Sequence, residues 1–251
     1  MLNSEAQLEA LLLDAMPDLS TTWRGASPEQ VASIERHAGR PLPAFYRWFL
    51  SRMGGSMGEA AFDNVDFTAT RVLSWYQEQT SPVPKNLLFI GYDTDDTLPM
   101  HFYYDLDLPA RDDARVARLV APEGDRSDRF ETFRELLAWT TLLGYRVEPR
   151  TATREGLLIG EDDDFSGQLQ PLLLKLGFSQ PVQTGVVCGF YDRQDATLMY
   201  NASPSVRTTI RRLDIGCDDE GTLRRILGAI GTETTIEVDL DPEADDEDDE
   251  Q

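Results

Sequence analysis

The pentapeptide Gly54-Gly55-Ser56-Met57-Gly58 matches the letters of the nucleophile motif G-x-S-x-G, in which a serine on a strained turn attacks an acyl group. That chemistry requires a strand before the serine and a helix directly after it. The segment before the pentapeptide is the aromatic stretch AFYRWFLSRM, whose composition and length indicate a helix. We therefore interpret the glycines as a helix C-cap and a tight turn, and the sequence assigns no catalytic residue.

Histidine and cysteine, the other common carriers of chemistry, each occur twice. His37 and His101 are too few for a typical zinc site without carboxylates, and the chain has no G-x-x-x-x-G-K-[ST], H-E-x-x-H or C-x-x-C motif. Cys188 and Cys217 both fall in apolar predicted strands, where small buried thiols are common. The sequence therefore predicts no metal, no cofactor and no redox site.

Five aspartates are the candidate partner-binding residues. Asp93, Asp95 and Asp96 lie in a predicted turn, and Asp105 and Asp107 follow one strand later. The turn lacks the glycine and the distal glutamate of a calcium loop, and aspartate favours turns for backbone reasons alone, so a solvated turn is the preferred interpretation of the first three. The alternative is that all five form a negative surface for the basic groove of a protein partner.

The net charge of the chain is −22, from 45 acidic and 23 basic residues. Nucleic acid and anionic lipid bind cation-rich surfaces, so this charge argues against both as direct partners and favours a basic protein. Nine of the carboxylates lie between Asp239 and Gln251, and removing nine from −22 still leaves −13. Residues 241–251 are predicted to be a disordered acidic tail. Acidity that serves solubility alone is the simpler alternative.

Length and hydropathy indicate a soluble globular protein, because 41% of the 251 residues are hydrophobic. No apolar run approaches the roughly 20 residues of a membrane span. The N-terminal stretch MLNSEAQLEALLLDAMPD lacks the basic region and the cleavage site of a signal peptide and is predicted to form a helix. We expect a cytoplasmic protein without a membrane partner.

The first half of the chain predicts an α+β fold, with helices on one face of a mainly antiparallel sheet. Ser27, Pro28 and Gln30 indicate a capped helix that Gly39 ends. The pattern predicts further helices over 4–16, 44–53, 68–79 and 133–144, a β-hairpin over 86–107 and a strand over 115–122.

Residues 27–143 resemble the SMI1/KNR4 family of the SUKH superfamily. The family pattern is a helix with an Ile-Glu pair, a G-x-x-L-P link, an aromatic helix and a Gly-Gly stop, followed later by a closing helix. The positions that carry the resemblance are Ile34-Glu35, Gly39, Leu42-Pro43, Phe45-Tyr46, Phe49-Leu50, Gly54-Gly55, and in the closing helix Phe133, Leu136 and Leu137, with Thr132 in place of serine. The residues after 143 are not covered by it.

The resemblance implies a binding function and no catalytic residue. Bacterial members of the family are similar in role to immunity proteins, which bind and neutralise polymorphic toxins, frequently nucleases, and fungal relatives act as regulatory interaction proteins. We therefore expect an immunity protein that occludes the active site of a cognate, basic toxin domain. A regulatory scaffold is the non-enzymatic alternative, and an enzyme with its site between two domains is the third. The sequence does not indicate the oligomeric state.

The second half predicts a smaller α+β two-layer sandwich over 155–240, separate from an SMI1/KNR4-like domain with its N-terminal helix over 1–148. The predicted order of strand, helix, three strands, helix and strand resembles a ferredoxin-like fold. Pro171 is expected near the first turn of its helix, where proline is tolerated. The arginines of this half either line a pocket for an acidic group or, as we prefer, pair with nearby carboxylates. They are Arg207, Arg211, Arg212, Arg224 and Arg225.

Overall fold

A computed structural model describes residues 4–58, 60, 64–79, 82–95, 97, 99–120 and 124–240. The tail predicted over 241–251 and the candidate residue Asp96 lie outside the described residues. The chain folds as two compact units. Of the described residues, the first unit comprises those up to residue 142 together with the later segments 181–187 and 203–206, and the second comprises the others from 143 to 240. Whether 1–148 and 155–240 fold as separate domains stays a prediction.

The first unit is built on a five-stranded antiparallel sheet whose strands are adjacent in sequence order. The strands are β1 (Val65–Asp66), β2 (Leu87–Asp93), β3 (His101–Ala110), β4 (Asp113–Leu119) and β5 (Arg126–Phe130). The predicted hairpin is confirmed as β2 and β3, in which Leu88 lies opposite Tyr104. The sequence pattern does not indicate β1 or β5, because β1 has only two residues and β5 carries the charged sequence RSDRF.

Six helices in the described part of this unit pack around the sheet. They are α1 (Ser4–Ala15), α2 (Leu19–Thr22), α3 (Pro28–Ala38), α4 (Ala44–Met53), α5 (Ala69–Glu78) and α6 (Phe133–Leu142). The predicted capping box of α3 is confirmed, because the Ser27 hydroxyl accepts from the Gln30 amide at 3.3 Å and the Gln30 side chain accepts from the Ser27 amide at 2.9 Å. Gly39 ends α3 in the left-handed conformation, with φ of 65°.

Helices cover both faces of the first sheet, whereas the sequence predicted one covered face. Tyr104 packs edge-on against Phe133 of α6 on one face, with ring centroids 5.8 Å apart. The neighbouring residue Tyr103 points to the opposite face because side chains alternate along a strand. There Trp75 of α5 stacks on Phe89 at 4.0 Å and meets Tyr103 edge-on. The α5 helix therefore covers the second face.

The second unit is a five-stranded antiparallel sheet in the order β10-β6-β9-β8-β7, with two helices packed on one face. The π-helical segment Leu143–Val147 begins the unit. Its remaining elements are β6 (Ala152–Ile159), α7 (Phe165–Lys175), β7 (Cys188–Arg193), β8 (Ala196–Asn201), β9 (Ile210–Cys217), α8 (Glu220–Glu233) and β10 (Glu237–Leu240). The predicted element order is confirmed. Without β7 the elements follow the β-α-β-β-α-β order of a ferredoxin-like fold, with the sheet order β10-β6-β9-β8, so the structure differs from that expectation by the additional edge strand β7.

Strand β9 begins at Ile210, and its register pairs it with both β6 and β8 and buries Leu213 and Ile215. The position predicted for Pro171 is wrong. Pro171 lies at the seventh position of α7 rather than in its first turn. The helix starts earlier than predicted because the Asp164 carboxylate accepts from the Gly167 amide at 2.9 Å and caps it.

Candidate partner-binding surface

Asp93, the first candidate residue, is a buried structural carboxylate at the end of β2. One carboxylate oxygen accepts from the Asp95 amide at 3.0 Å, and the other accepts from the Met100 amide at 3.1 Å and from Arg118 at 2.9 Å. The residue is 4% exposed. These bonds close the turn between β2 and β3, so a partner cannot reach Asp93 without opening the hairpin.

His101 fixes the same turn from the first residue of β3. Its Nδ1 atom accepts a hydrogen bond from the Asp93 amide at 3.2 Å. Its ring stacks on the Tyr92 ring with centroids 4.6 Å apart, and the Arg71 guanidinium lies 3.5 Å from the centroid of the same Tyr92 ring. Burial lowers the pKa of His101, the nearby Asp93 carboxylate opposes this shift, and Arg71 adds to it. The imidazole therefore acts as a neutral acceptor for the backbone.

Asp105, a buried residue in the middle of β3, is the centre of a polar cluster. Its carboxylate accepts from Arg126 at 2.6 Å, from the Asn86 amide group at 3.2 Å and from the Asp107 backbone amide at 3.1 Å. Burial alone would raise the pKa of Asp105, but these hydrogen bonds outweigh it and hold the pKa below its usual value. Arg126 also pairs with Asp128 on β5, and Arg115 lies 3.7 Å from the same carboxylate. Two arginines therefore balance the charges of Asp105 and Asp128.

Of the described candidate residues, Asp95 and Asp107 have side chains that a partner can reach. Asp95 is exposed, and its carboxylate accepts from the Thr97 amide at 2.8 Å. The Asp107 side chain is 64% exposed and pairs with Arg40 at 2.8 Å. The two are separated by the length of β3 from His101 onward, roughly 20 Å at the usual rise per strand residue. The structure does not bring the described candidate residues together as one patch.

A buried charged cluster at the start of α6 was not indicated by sequence reasoning. Asp113, 2% exposed, accepts from the Tyr104 hydroxyl at 2.7 Å and from the Arg134 amide at 3.0 Å. Burial raises the pKa of Asp113 to about 6 against these hydrogen bonds. Beside it, the fully buried Glu135 pairs with Arg111 and accepts from the Gly185 amide at 2.7 Å. The sequence signal is weak, because Asp113 begins a strand, DARVARL, that also carries two arginines.

The groups that suggested chemistry have structural roles. The Ser56 hydroxyl accepts from the Gly58 amide at 3.2 Å, and helix α4 precedes it, so the nucleophile turn that G-x-S-x-G requires is not formed. Cys188 and Cys217 are buried thiols, and burial raises the pKa of Cys217 to about 11. Within the described residues no three His, Cys, Asp or Glu side chains are grouped to hold a metal ion.

The arginines of the second unit mostly pair with carboxylates, as preferred. Arg207 pairs with Asp163 at 2.9 Å, and Arg212 pairs with Glu155 at 2.9 Å and with Asp214 at 3.0 Å. Arg224 lies 4.0 Å from Glu220. Arg211 instead is buried over the Phe165 ring at 4.5 Å and donates to backbone carbonyls. Arg225 is exposed on α8.

The sequence was compared with protein-family models and with curated proteins. A search of protein-family models finds no match to this chain, and a search of curated proteins finds none. The resemblance to the SMI1/KNR4 family therefore depends on the motif residues alone.

Proposed function

We propose that this chain is an immunity protein that binds a cognate bacterial toxin domain with a basic surface and occludes its active site. The observation that carries the proposal is the charge, −22 overall and −13 without the nine carboxylates from residue 239 onward. A charge of this size speeds the encounter with a basic protein and disfavours nucleic acid as a direct partner. The residues that resemble the SMI1/KNR4 motif indicate the class of partner, a bacterial toxin domain.

The state of the reactive groups supports binding rather than catalysis. Ser56 is an acceptor within a turn, His101 is an acceptor for a backbone amide, and Cys217 is buried with a raised pKa. An enzyme would instead use such groups where they can contact a substrate. Among the described helices, none is long and apolar enough to span a membrane. We propose that the protein acts in the cytoplasm.

The exposed part of β3 is the contact segment that we propose for the toxin. Asp107 and Pro109 are exposed, and Leu108 between them is 38% exposed, so acidic and apolar groups lie side by side. A standard interface buries about 1,600 Å² and takes most of its affinity from a few apolar anchors, while charges raise the association rate. In this mechanism Asp95 and Asp107 attract the toxin, and Leu108 slows its release.

The proposal is tested by survival of bacteria in which the toxin domain encoded beside this chain is induced, with and without this protein. Rescue together with a co-purifying complex is the expected result. A double variant Asp95→Lys, Asp107→Lys should rescue less well than the matched double variant Glu161→Lys, Asp162→Lys, which changes the net charge equally on an exposed loop of the second unit. Toxicity without rescue would contradict the proposal and favour a regulatory scaffold.

A further inference from the structure

The outer edge of the second sheet offers an unpaired strand. β10 is the last strand of the order β10-β6-β9-β8-β7, and it pairs with β6 from Glu237 opposite Ile159 to Leu240 opposite Gly156. On its other side no strand of the described residues pairs with it. An edge of this kind presents backbone N–H and C=O groups that can extend the sheet with a strand from another molecule.

A groove runs along this edge on the helix side. It has a volume of about 560 Å³ and is lined by Leu227 and Gly231 of α8, by the apolar residues Ile236, Val238 and Leu240, and by the polar residues Thr234, Thr235 and Glu237. A side chain at Gly231 would point into open space, since no heavy atom lies within 4 Å of where its Cβ would be. The groove is therefore available for apolar side chains of an added strand.

The opposite side of the same edge is acidic. Side chains alternate along a strand, so Glu237 and Asp239 project from the face opposite to Val238 and Leu240, and both are exposed. Glu237 also borders the groove. A second copy of this chain paired through β10 would bring these carboxylates against one another, which is unfavourable across a strand pair. A strand that carries lysine or arginine at the matching positions would instead form opposite-charge pairs.

We propose that β10 binds an extended segment of a partner protein in which apolar residues alternate with lysine or arginine. The apolar residues occupy the groove beside Leu227 and Gly231, the basic residues pair with Glu237 and Asp239, and the backbone adds a sixth strand to the sheet. This surface is separate from the contact segment on β3 and does not depend on the immunity function.

The test uses the full chain and a fluorescent synthetic peptide of about ten residues, long enough for one strand, in which valine alternates with lysine. Binding is followed by anisotropy at low ionic strength. A peptide with glutamate in place of lysine is the peptide control and should not bind. The reversal Glu237→Lys, Asp239→Lys should weaken binding by about tenfold, the size expected for two cross-strand charge pairs.

Charge alone can attract a lysine peptide to an acidic chain, so the decisive variant leaves the charge unchanged. Gly231→Leu fills the groove and should weaken binding by at least about tenfold, because the apolar side chains of the peptide lose their site. Gly228→Leu is the matched control: it lies on the same helix, also faces open space and does not line the groove. Thermal unfolding checks that both variants fold.

Amide hydrogen exchange supplies the second measurement. Bound peptide should protect the amides of residues 237–240, which form the edge strand. Equal affinity of Gly231→Leu and Gly228→Leu, or unchanged exchange in β10, would overturn the proposal. The proposal would also be overturned if the wild-type protein formed a dimer that the Gly231→Leu variant did not form. In that case a second copy of the chain would occupy the groove.

Discussion

At the scale of single residues, burial decides what the acidic side chains do. Asp93 and Asp105 were candidates for a partner, but each accepts from at least one backbone amide and from an arginine, and both are structural. Asp113 is the extreme case, because burial raises its pKa to about 6 while Tyr104 and the Arg134 amide hold its carboxylate. The three are therefore better tested through stability than through binding.

The pH dependence of stability should identify Asp113. In the unfolded chain this carboxyl titrates near 3.8, and in the folded protein near 6, so the folded state binds more protons between these values. Its contribution is fully present below 3.8 and is lost as the pH rises through 6. Relative to Asp113→Asn, the wild-type free energy of unfolding should fall by roughly 2 kcal/mol between pH 4 and pH 7. Denaturant unfolding followed by tryptophan fluorescence measures it, and parallel pH profiles would contradict it.

Asp93 and Asp95 should differ sharply although they are two residues apart. Asp93→Ala leaves Arg118 and two amides without their acceptor, which should lower the free energy of unfolding by about 2–4 kcal/mol. Asp95→Ala removes an exposed carboxylate and should cost about 0.5 kcal/mol or less. Chemical denaturation of the two variants compares them. Similar losses would mean that the Asp93 carboxylate does not hold the hairpin.

At the scale of elements, the sequence predicted local order better than packing. The capping box at Ser27 and the two apolar runs of β2 and β3 carry their own signals, and both elements formed as predicted. The sheet face that α5 covers is set by the contact between Trp75 and Phe89. The hydrophobic periodicity of α5 predicts a helix but does not show which face of the sheet that helix covers. The Asp113 carboxylate likewise accepts a hydrogen bond from the amide of Arg134, which is 21 residues away in the sequence.

The position of Pro171 inside helix α7, which the sequence did not predict, can be tested by substitution. It is exposed at the seventh position of α7, where the missing N–H removes a hydrogen bond from the interior of a helix. Pro171→Ala restores that donor and should raise the free energy of unfolding by about 1–2 kcal/mol. Leu174→Ala, at another exposed position of α7, should not raise it. A loss of stability in Pro171→Ala would show that the proline ring is part of the packing.

At the scale of the whole molecule, the two units are not two consecutive pieces of chain. Segments 181–187 and 203–206 come from the second half of the sequence but belong to the first unit. Gly185 donates to Glu135, and Ser205 bonds to Asp128. The domain boundary predicted near residue 150 does not indicate that these two segments belong to the first unit. Their hydrogen bonds are to buried residues far away in the sequence, which sequence composition does not reveal.

A fragment ending at residue 148 tests this arrangement. It lacks Gly185 and Ser205, so Glu135 and Asp128 lose hydrogen-bond donors, and the fragment should unfold at a lower temperature than the full chain. The full-chain variant Ser205→Ala removes one of these bonds and should cost about 1 kcal/mol. An equally stable fragment would show that residues 1–148 fold independently of the returning segments.

The central claim is that an acidic protein neutralises a basic toxin by covering its active site. The most direct measurement is the activity of the purified toxin domain as this protein is added in increasing amounts. We predict that activity falls in proportion to the protein added and is abolished at an equimolar ratio, because a tight complex leaves no free toxin. Full toxin activity in the presence of excess protein would contradict the account.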